Sequence, residues 1–518
     1  MYKPKIFKSN KTIIISLLIL YFLINLFFLT KFPFVHSDEP WLSGLSRNIL
    51  EEKDFSVTET FFDLYERNPH AIKSLFHLMQ IVFLKIFGYS IFTFRLLSLS
   101  FATLALFFFY KLSMILFKSE KLAFFSTLLL AIDVQFIYAS HFARQEIALL
   151  FSLILGLYIF YKDIKNQYYK DIMLGVLIGL SIGIHPNSFI ISLVFGSLYL
   201  YHIFILKKFK VKNITLLISI VSLFLVFFVF LSFRFDPNFL SNYANFGSQF
   251  GVLNPITSKI DQIKDFYLKL YYSVSGTYYT PNIKFQFYLF SIIFLTTLIK
   301  IIFSKDSSKK TNLVSIIIAI LSINIGIVII GRFNATSIIF LFPLFFILTI
   351  YILKDIKRYH FLSIVSIAII LISTTTSNVL PYISTSYSDY INEIGKVVKK
   401  NDTVLANLNS EYYFENGKLY DYRNLSFLDE NDMSFSDYIY SHDIEYIIYS
   451  DEMDFIYNSR PIWNGVYGNP YFYYKDMKNF LNNKCRIVHK FKDNLYGIRI
   501  TRYINTRDWF VTVYKVKE

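Results

Sequence analysis

The sequence has one cysteine, Cys485, in 518 residues. A single thiol excludes an intramolecular disulfide and a cysteine-rich metal site. Charged side chains make up 17% of the chain, against about 25% in an average soluble domain. The sequence also contains no glycine-rich phosphate loop and no G-x-S-x-G elbow, so an enzyme with a Rossmann-type nucleotide-sugar domain has no support.

The chain is rich in apolar and aromatic residues, and these are grouped in long runs. Hydrophobic residues reach 54% and aromatic residues 19%, with a mean hydropathy of +0.44. A run of about 18 or more apolar residues is long enough to cross a bilayer as a helix. The sequence therefore predicts a polytopic all-α membrane protein of about eleven transmembrane helices. The predicted spans are 12–30, 91–117, 122–139, 147–161, 172–184, 188–206, 213–233, 285–303, 313–330, 336–353 and 361–379.

The net charge of +15 is explained by membrane topology, since the basic residues lie in short loops between apolar runs and no nucleic-acid motif occurs. Four lysines precede the first apolar run, which we interpret as an uncleaved first helix with a cytoplasmic N-terminus. The stretch 72–87 contains Lys73, His77, Gln80 and Lys85 and is ambiguous. If it lies at the interface as a juxtamembrane helix, nearly all basic loops face the cytoplasm, as the positive-inside rule requires.

This topology predicts three external regions. They are a first loop at 31–71, a tyrosine-rich second loop at 234–284, and a C-terminal region. We place domain boundaries at 1–380 for the membrane domain and 381–518 for a small soluble α/β domain. The pattern predicts a helix at 390–400 and strands at 404–406, 446–449, 496–500 and 510–516.

The first loop opens with the adjacent carboxylates Asp38 and Glu39. Partial desolvation at the interface could raise a carboxylate pKa toward general-base duty, or the pair could hold a divalent cation. The structural alternative is a helix N-terminus with Ser37 as the cap and the acids in the first turn. Later in the loop, Arg67 and His70 come before Lys73, and cations at headgroup level can bind a lipid phosphate.

A second group of ionisable residues lies in the turn after span 122–139. It contains His141, Arg144 and Glu146, and charges at such a depth are functional candidates because they are costly there. The alternative is a local ion pair that closes the turn. His185 and Arg332 lie in two further turns on the same predicted face. His141 and His185 are candidates for contacts with a sugar or an acceptor, and Arg332 is a candidate phosphate ligand.

Taken in order, these segments resemble the motifs of GT-C glycosyltransferases of the protein O-mannosyltransferase and aminoarabinose-transferase superfamily. The resemblance extends over residues 10–380, and the C-terminal region carries no family motif. The family's usual Pro-Pro before Leu75 is Lys73-Ser74 here. The matching segments are DE at 38–39, LSRNILEE at 45–52, LFH to IFG over 75–88, FTFRLLS at 92–98, ASHFARQE at 139–146, GL to HPN over 179–187, and 332–343.

The resemblance implies a membrane glycosyltransferase. Such an enzyme moves a sugar from a polyprenyl-phosphate carrier in the membrane to a hydroxyl acceptor on a protein, lipid or glycan at the external face, typically with inversion. By the match, Asp38 is the base and Glu39 and Glu146 are supporting carboxylates. Cationic phosphate ligands are expected among the residues Arg144, Lys73, Arg332, Arg67 and His70. The sequence leaves open whether a divalent cation binds at Asp38 and Glu39; no other cofactor and no nucleic-acid partner is expected.

Two other functions are compatible with the hydropathy pattern. A transporter or flippase of lipid-linked sugars would place ionisable residues near the midplane and use inverted repeats. The spans contain few such charges and the sequence shows no repeat. A non-catalytic membrane scaffold would present the C-terminal domain without needing Asp38.

Overall fold

The computed structural model describes residues 11–65, 67–69, 71–249, 251–274, 276–356 and 359–517. The first part of the chain is helical. Its α-helices are Lys11–Phe28 (α1), Asp38–Glu52 (α2), Ser74–Phe87 (α3), Ile91–Phe117 (α4), Glu120–Ala131 (α5), Val134–His141 (α6), Glu146–Tyr161 (α7), Gln167–Ile182 (α8), Phe189–Leu200 (α9), Val211–Phe235 (α10), Phe239–Ser248 (α11), Ile256–Tyr271 (α12), Lys284–Phe303 (α13), Ser307–Ile330 (α14), Phe342–Leu353 (α15) and His360–Val379 (α16).

Among the described residues, seven helical segments are long and apolar enough to cross a membrane, or eight if the bent pair α5 and α6 forms one span. The fold class expected from the sequence is confirmed: this is a polytopic helical membrane protein with a small sheet at its C-terminus. The number of eleven spans stays a prediction, because α1 and α7 are apolar helices of intermediate length and α8, at the predicted span 172–184, has 16 residues.

The predicted span 122–139 is divided into two helices. α5 and α6 meet at an angle of 63°, with Asp133 at the break. The Asp133 carboxylate accepts hydrogen bonds from the backbone N–H of Gln135 and Phe136 and from the Gln286 amide. A side-chain cap thus replaces the continued helical ladder and directs α6 toward the turn that carries Arg144.

Glycines fix the contact between α8 and α10. A Cβ at Gly175, Gly179 or Gly183 would come within 3 Å of a side chain on α10, so the two helices approach as closely as small residues at every fourth position allow. The carbonyl of Gly183 also accepts hydrogen bonds from the backbone N–H of Leu75 (3.0 Å) and Phe76 (3.3 Å). The start of α3 is therefore attached to the end of α8.

Helix α3 is the ambiguous stretch of the sequence. With 14 residues it is about 21 Å long, less than the roughly 30 Å of hydrocarbon that a span must cross. Its polar residues His77 and Gln80 are buried against Ser46 of α2. These contacts support the interfacial placement, while the orientation of the helix in the bilayer stays a prediction.

The C-terminal region contains a five-stranded mixed sheet. The elements of this region are Tyr387–Gly395 (α17), Val404–Ala406 (β1), Leu419–Asp421 (β2), Phe435–Ser441 (α18), Tyr446–Ser450 (β3), Glu452–Ser459 (α19), Tyr474–Lys484 (α20), Cys485–Lys492 (β4) and Phe510–Val516 (β5). The strand order in the sheet is β2-β1-β3-β5-β4, with β1 parallel to β2 and β3, and β5 antiparallel to β3 and β4.

The strand predicted at 496–500 is wrong. Side-chain carboxylates take the backbone N–H groups that a neighbouring strand would need. Asp493 accepts from residues 495, 496 and 497, and Glu452 accepts from Arg499 and Ile500. The segment is instead a looped chain that places Arg499 beside the membrane domain.

The C-terminal region packs on the first loop through buried polar contacts. Arg47 of α2 forms an ion pair with Glu411 and donates to the carbonyl of Phe414 (2.9 Å). The Phe61 carbonyl accepts from the backbone of Asp421 (3.2 Å) and from Asn424 (2.9 Å). Since α2 carries Asp38 at its first position, these contacts fix the C-terminal region relative to that carboxylate.

Candidate functional site

Asp38, the predicted base, lies at the first position of α2 and faces a cavity. Its Oδ2 is 2.8 Å from Nη1 of Arg144, and the Tyr278 hydroxyl donates to the same oxygen. Arg144 also donates to the Tyr278 hydroxyl at 2.6 Å. The structure thus brings together one residue from each of three loops that are far apart in sequence.

The charge state of Asp38 follows from this environment. Burial alone would raise its pKa, but the positive charges around it and the Tyr278 hydrogen bond outweigh burial and hold the pKa well below its ordinary value. His36 is neutral at neutral pH because burial lowers its pKa to about 4, so Arg144 and Arg332 are the cations that lower the pKa of Asp38. His36 Nδ1 instead accepts from the backbone N–H of Asp38 (3.0 Å) and caps α2, a role expected for Ser37, which makes no such bond.

Glu146, a predicted supporting carboxylate, is connected to Asp38 through Arg144. Its Oε1 is 3.1 Å from Nη2 of Arg144 and accepts from the Thr336 hydroxyl at 2.8 Å. Arg144 therefore bridges two carboxylates, and burial is offset by their charges so that its pKa is raised. The local ion pair considered from the sequence exists, and it is part of the Asp38 site.

Beside Asp38 is a pocket that we call the lysine pocket, lined by Asp38, Lys73, Arg144, His185 and Arg332 among others. Burial and the charges of Arg332 and Arg144 lower the pKa of Lys73 to about 7. Within the described residues Lys73 has no hydrogen-bonding or ion-pair partner. His185 caps the following turn by accepting from the Asn187 N–H (3.0 Å), so it is both a structural cap and a lining residue.

Arg67 also lines the lysine pocket, but its charge is already paired. Glu59, which the sequence analysis did not select, lies 3.3 Å from Arg67 Nε and accepts from the Trp41 indole. The Arg67 guanidinium is stacked over the Trp41 ring at 4.6 Å. These contacts indicate that Arg67 forms part of the wall of the lysine pocket and has a structural role there. His70 lies outside the described residues.

Glu39 does not share a site with Asp38. Its carboxylate is fully buried and forms a two-point ion pair with Arg95 at 2.8 Å. It also accepts from the backbone N–H of Ala143 and His36, both at 3.0 Å. Glu39 thus ties α4 to the two loops that carry Asp38 and Arg144, and its oxygens are not presented to the cavity as half of a cation site.

His141 is likewise directed away from the cavity. It is fully buried and its Nδ1 contacts the carbonyl of Phe32 at 2.8 Å, so the structure gives it a packing position against the first loop. Among the described residues, no group of three histidine, cysteine or acidic side chains is arranged to hold a metal ion.

A second, larger cavity of about 440 Å³, which we call the arginine cavity, also has Asp38 in its lining. Its lining combines Asp38, Tyr278 and Arg332 with Arg423 and Arg499 of the C-terminal region. The sequence pattern could indicate Tyr278 through the tyrosine density of its loop. It gave no signal for the two arginines, because they lie in segments without a motif.

The structure thus has a helical membrane part, a loop carboxylate at the start of α2 and a small C-terminal α/β region. A family model described as dolichyl-phosphate-mannose-protein mannosyltransferase matches residues 74–233, which is less than half of the chain. No curated protein matches the sequence significantly. The GT-C fold that the motifs indicate is confirmed.

Solved structures of two proteins show the same fold along most of the chain. ArnT from Cupriavidus metallidurans bound to undecaprenyl phosphate has 12% identity and a TM-score of 0.59, covering 97% of both chains. Its apo state has 11% identity and a TM-score of 0.56, covering 98% of both chains. The Archaeoglobus fulgidus oligosaccharyltransferase tethered with an acceptor peptide has 12% identity and a TM-score of 0.53, covering 89% of this chain and 72% of that chain.

Proposed function

We propose that this protein is a membrane glycosyltransferase that moves a sugar from a polyprenyl-phosphate carrier to a hydroxyl acceptor at the external face of the cell membrane. The observation that carries the proposal is the convergence of one carboxylate, Asp38, with the cations Arg144, Lys73 and Arg332 around one site. A displacement at a sugar-phosphate bond needs a base and a cationic environment for the leaving phosphate. The shared fold and the family-model match support it.

In the proposed step, the acceptor oxygen attacks the anomeric carbon and the bond from that carbon to the phosphate oxygen breaks. Asp38 takes the hydroxyl proton as the new glycosidic bond forms. The carrier phosphate leaves with one more negative charge than the phosphodiester had. Because charge develops on the leaving phosphate, cations placed beforehand in the lysine pocket stabilise the transition state more than the ground state.

Donor binding would also adjust the basicity of Asp38. In the free site Arg144 lowers its pKa, and a carboxylate so strongly stabilised is a weak base. A phosphodiester beside Arg144 and Lys73 shares their charge and raises the pKa of Asp38. The carboxylate thereby becomes a stronger base only when the donor is in place, which disfavours reaction without it.

An apolar cleft is suited to the carrier's hydrocarbon. It lies between α13, α14 and α15 with a volume of about 510 Å³ and a mainly apolar lining that includes Tyr267 of α12. The preceding residue, Phe266, lines a further opening together with Tyr278 and Arg332. Helix α12 therefore borders both the apolar cleft and the polar site, as a prenyl tail joined to a phosphate requires.

The proposal is tested by replacing Asp38 with Asn, which keeps the shape and removes the charge. We expect the variant to insert and fold normally while the sugar transferred to surface glycans falls about 10²–10⁴-fold, the usual contribution of a general base. The measurement is a chemical comparison of surface glycans from cells with the wild type, the variant or no protein. Glu52→Gln, at the exposed far end of α2, is the matched control. Wild-type transfer by a well-expressed Asp38→Asn variant would remove Asp38 from the reaction.

The orientation has its own test. In a Cys485→Ser background, cysteines replace two exposed residues, Glu430 and Lys208. If the C-terminal domain is external and the N-terminus cytoplasmic, an impermeant thiol reagent labels Glu430→Cys in intact cells and Lys208→Cys only after lysis. The reverse pattern would place the proposed site on the cytoplasmic side.

A further inference from the structure

Two arginines of the C-terminal region face the cavity that contains Asp38. Arg499 is 5% exposed, and its Nε and Nη1 have no hydrogen-bond partner in the described part of the chain. Arg423 donates from Nε to Asp421 at 2.7 Å, while its buried Nη2 has no acceptor. We propose that Arg423 and Arg499 form an oxyanion subsite that binds a phosphate or carboxylate group on the acceptor. This inference rests on the proposed function.

The positive charges of Arg423 and Arg499 are not fully neutralised by the carboxylates near them, so an anion could bind there. Asp421 is the carboxylate nearest to both arginines, but its Oδ1 is 3.9 Å from Nη1 of Arg499, too far for a hydrogen bond. Glu452 accepts from the backbone of Arg499 rather than from its guanidinium, and burial raises the pKa of Glu452 to about 7. Burial and the charge of Arg423 lower the pKa of Arg499. A bound oxyanion would relieve this repulsion.

Arg423 is oriented by aromatic rings. Its guanidinium carbon lies 4.6 Å from the centre of the Phe62 ring and 5.4 Å from that of Trp41. Stacking fixes the plane of a guanidinium and directs its remaining N–H groups along that plane. Trp41 and Phe62 line the same cavity as Arg423 and Arg499, so the donors are preorganised.

The position of the subsite indicates which substrate it serves. The arginine cavity and the lysine pocket share Asp38 and Arg332, so they meet at the proposed base. If the carrier phosphate occupies the lysine pocket, the arginine cavity is left for the acceptor, whose hydroxyl must approach Asp38. The two arginines would then hold an acidic group of the acceptor and orient that hydroxyl.

The test uses the full-length protein in nanodiscs that contain saturating undecaprenyl phosphate, so that the donor phosphate site is filled. Glucose 6-phosphate, glucuronate and glucose are then titrated by calorimetry. We expect at least one of the two acidic sugars to bind and glucose not to bind. Arg499→Gln and Arg423→Gln should each weaken that binding by about tenfold or more, as expected when a charge-assisted hydrogen bond is lost. Arg502→Gln, exposed on the same segment, should not change it.

The two acidic sugars distinguish phosphate from carboxylate. Acidic sugars that bind no better than glucose, or an Arg499→Gln variant that binds them like the wild type, would overturn the subsite. Failure of undecaprenyl phosphate itself to bind the wild type would instead count against the proposed function, so the two failures are distinguishable.

A steric variant keeps the proposal testable if an arginine variant does not fold. Gly465 lines the arginine cavity and an added Cβ there would meet no atom within 4 Å. Gly465→Leu should therefore fold, obstruct the cavity and weaken acidic-sugar binding by about tenfold, while undecaprenyl phosphate still binds. Unchanged acidic-sugar binding in this variant would place the anion elsewhere.

Discussion

Asp38 and Glu39 are adjacent in the sequence, yet their side chains lie in different regions of the molecule. Glu39 is in the interior with both oxygens bound by Arg95 and by backbone N–H groups. Asp38 faces a cavity and is held by Arg144 and Tyr278. The first ion pair is closed to any substrate, whereas the second uses side chains that also line the cavity. A pair of acids thus divides into one structural and one accessible carboxylate.

The difference shows how a loop carboxylate can be held accurately. Glu39 connects the turn at 36, the turn at 143 and helix α4, so the main chain on both sides of the site is fixed by one buried residue. Asp38 can then retain its interactions on the cavity side only. We therefore expect a mutation at Glu39 to reduce stability and a mutation at Asp38 to reduce activity.

The largest expected effect comes from Glu39→Gln. It leaves the guanidinium of Arg95 buried without its carboxylate, which typically costs about 3–5 kcal/mol. We expect a large loss of folded protein, measured as a lower unfolding temperature in detergent and a lower yield. Asp38→Asn is the control and should unfold near the wild-type temperature. A stable Glu39→Gln variant would show that the buried pair is dispensable.

The next effect is on activity rather than folding. Arg144→Gln removes the cation shared by Asp38 and Glu146, and we expect transfer to fall about 10²–10³-fold, as when one transition-state donor is lost. Surface-glycan analysis would measure this, with undecaprenyl phosphate binding as a second readout. If transfer requires that the Arg144 guanidinium contact Asp38 and Glu146 at the same time, Arg144→Lys should lose as much activity as Arg144→Gln. Full activity in Arg144→Lys would mean that only its charge is needed.

The pKa of Lys73 predicts a pH dependence of donor binding. The pKa of about 7 in the free site rises when an anion binds, so binding takes up a proton. Affinity is therefore highest below pH 7 and falls as the pH rises, by up to about tenfold per unit. An undecaprenyl phosphodiester, whose charge is constant, is the suitable probe. Lys73→Arg should remove the dependence, and an unchanged slope in that variant would assign it to another group.

The smallest effect is expected from Tyr278→Phe. It removes one hydrogen bond to Asp38 but keeps the ring that stacks on His36 at 4.2 Å, so we expect transfer to fall by about three- to tenfold. The pKa of Asp38 should rise slightly, which would appear as a shift in the acidic limb of the pH profile. A loss as large as that of Asp38→Asn would instead give Tyr278 a direct part in the reaction.

The sequence predicted most membrane helices because apolar length is a local property. The starts of α4, α10 and α13 agree with the predicted spans to within two residues. The break between α5 and α6 was not predicted, although Asp133 in an apolar run was a usable signal. Strands β2 and β4 were missed because neither shows an apolar run or a clear alternation: β2 ends in Asp421, and β4 contains Arg486, Lys490 and Lys492, whereas the equally short β1 is apolar throughout.

The site was predictable where a residue occurs in a motif. Asp38 and Arg144 are such residues, whereas Lys73 is predicted as a cation at headgroup level, at the position where the chain departs from the motif; all three line the lysine pocket. The separation of Asp38 from Glu39 could not be seen, because it depends on Arg95 reaching the start of α2 from another helix. Arg423 and Arg499 approach Asp38 only through the packing of the C-terminal region, and no local pattern encodes such a contact.

The hydrogen bonds from the start of α3 to the Gly183 carbonyl affect how deep in the bilayer Lys73 lies. The end of α8 is fixed against the long apolar helix α10 by close glycine contacts, so the residue just before α3, Lys73, is held at a constant height relative to α8 and α10. A carrier phosphate bound there would lie at one level of the bilayer whatever the length of its prenyl chain. The protein would then tolerate carriers with different numbers of isoprene units. The extra units would extend into the lipid, and the position of the sugar-phosphate end beside Asp38 would not change.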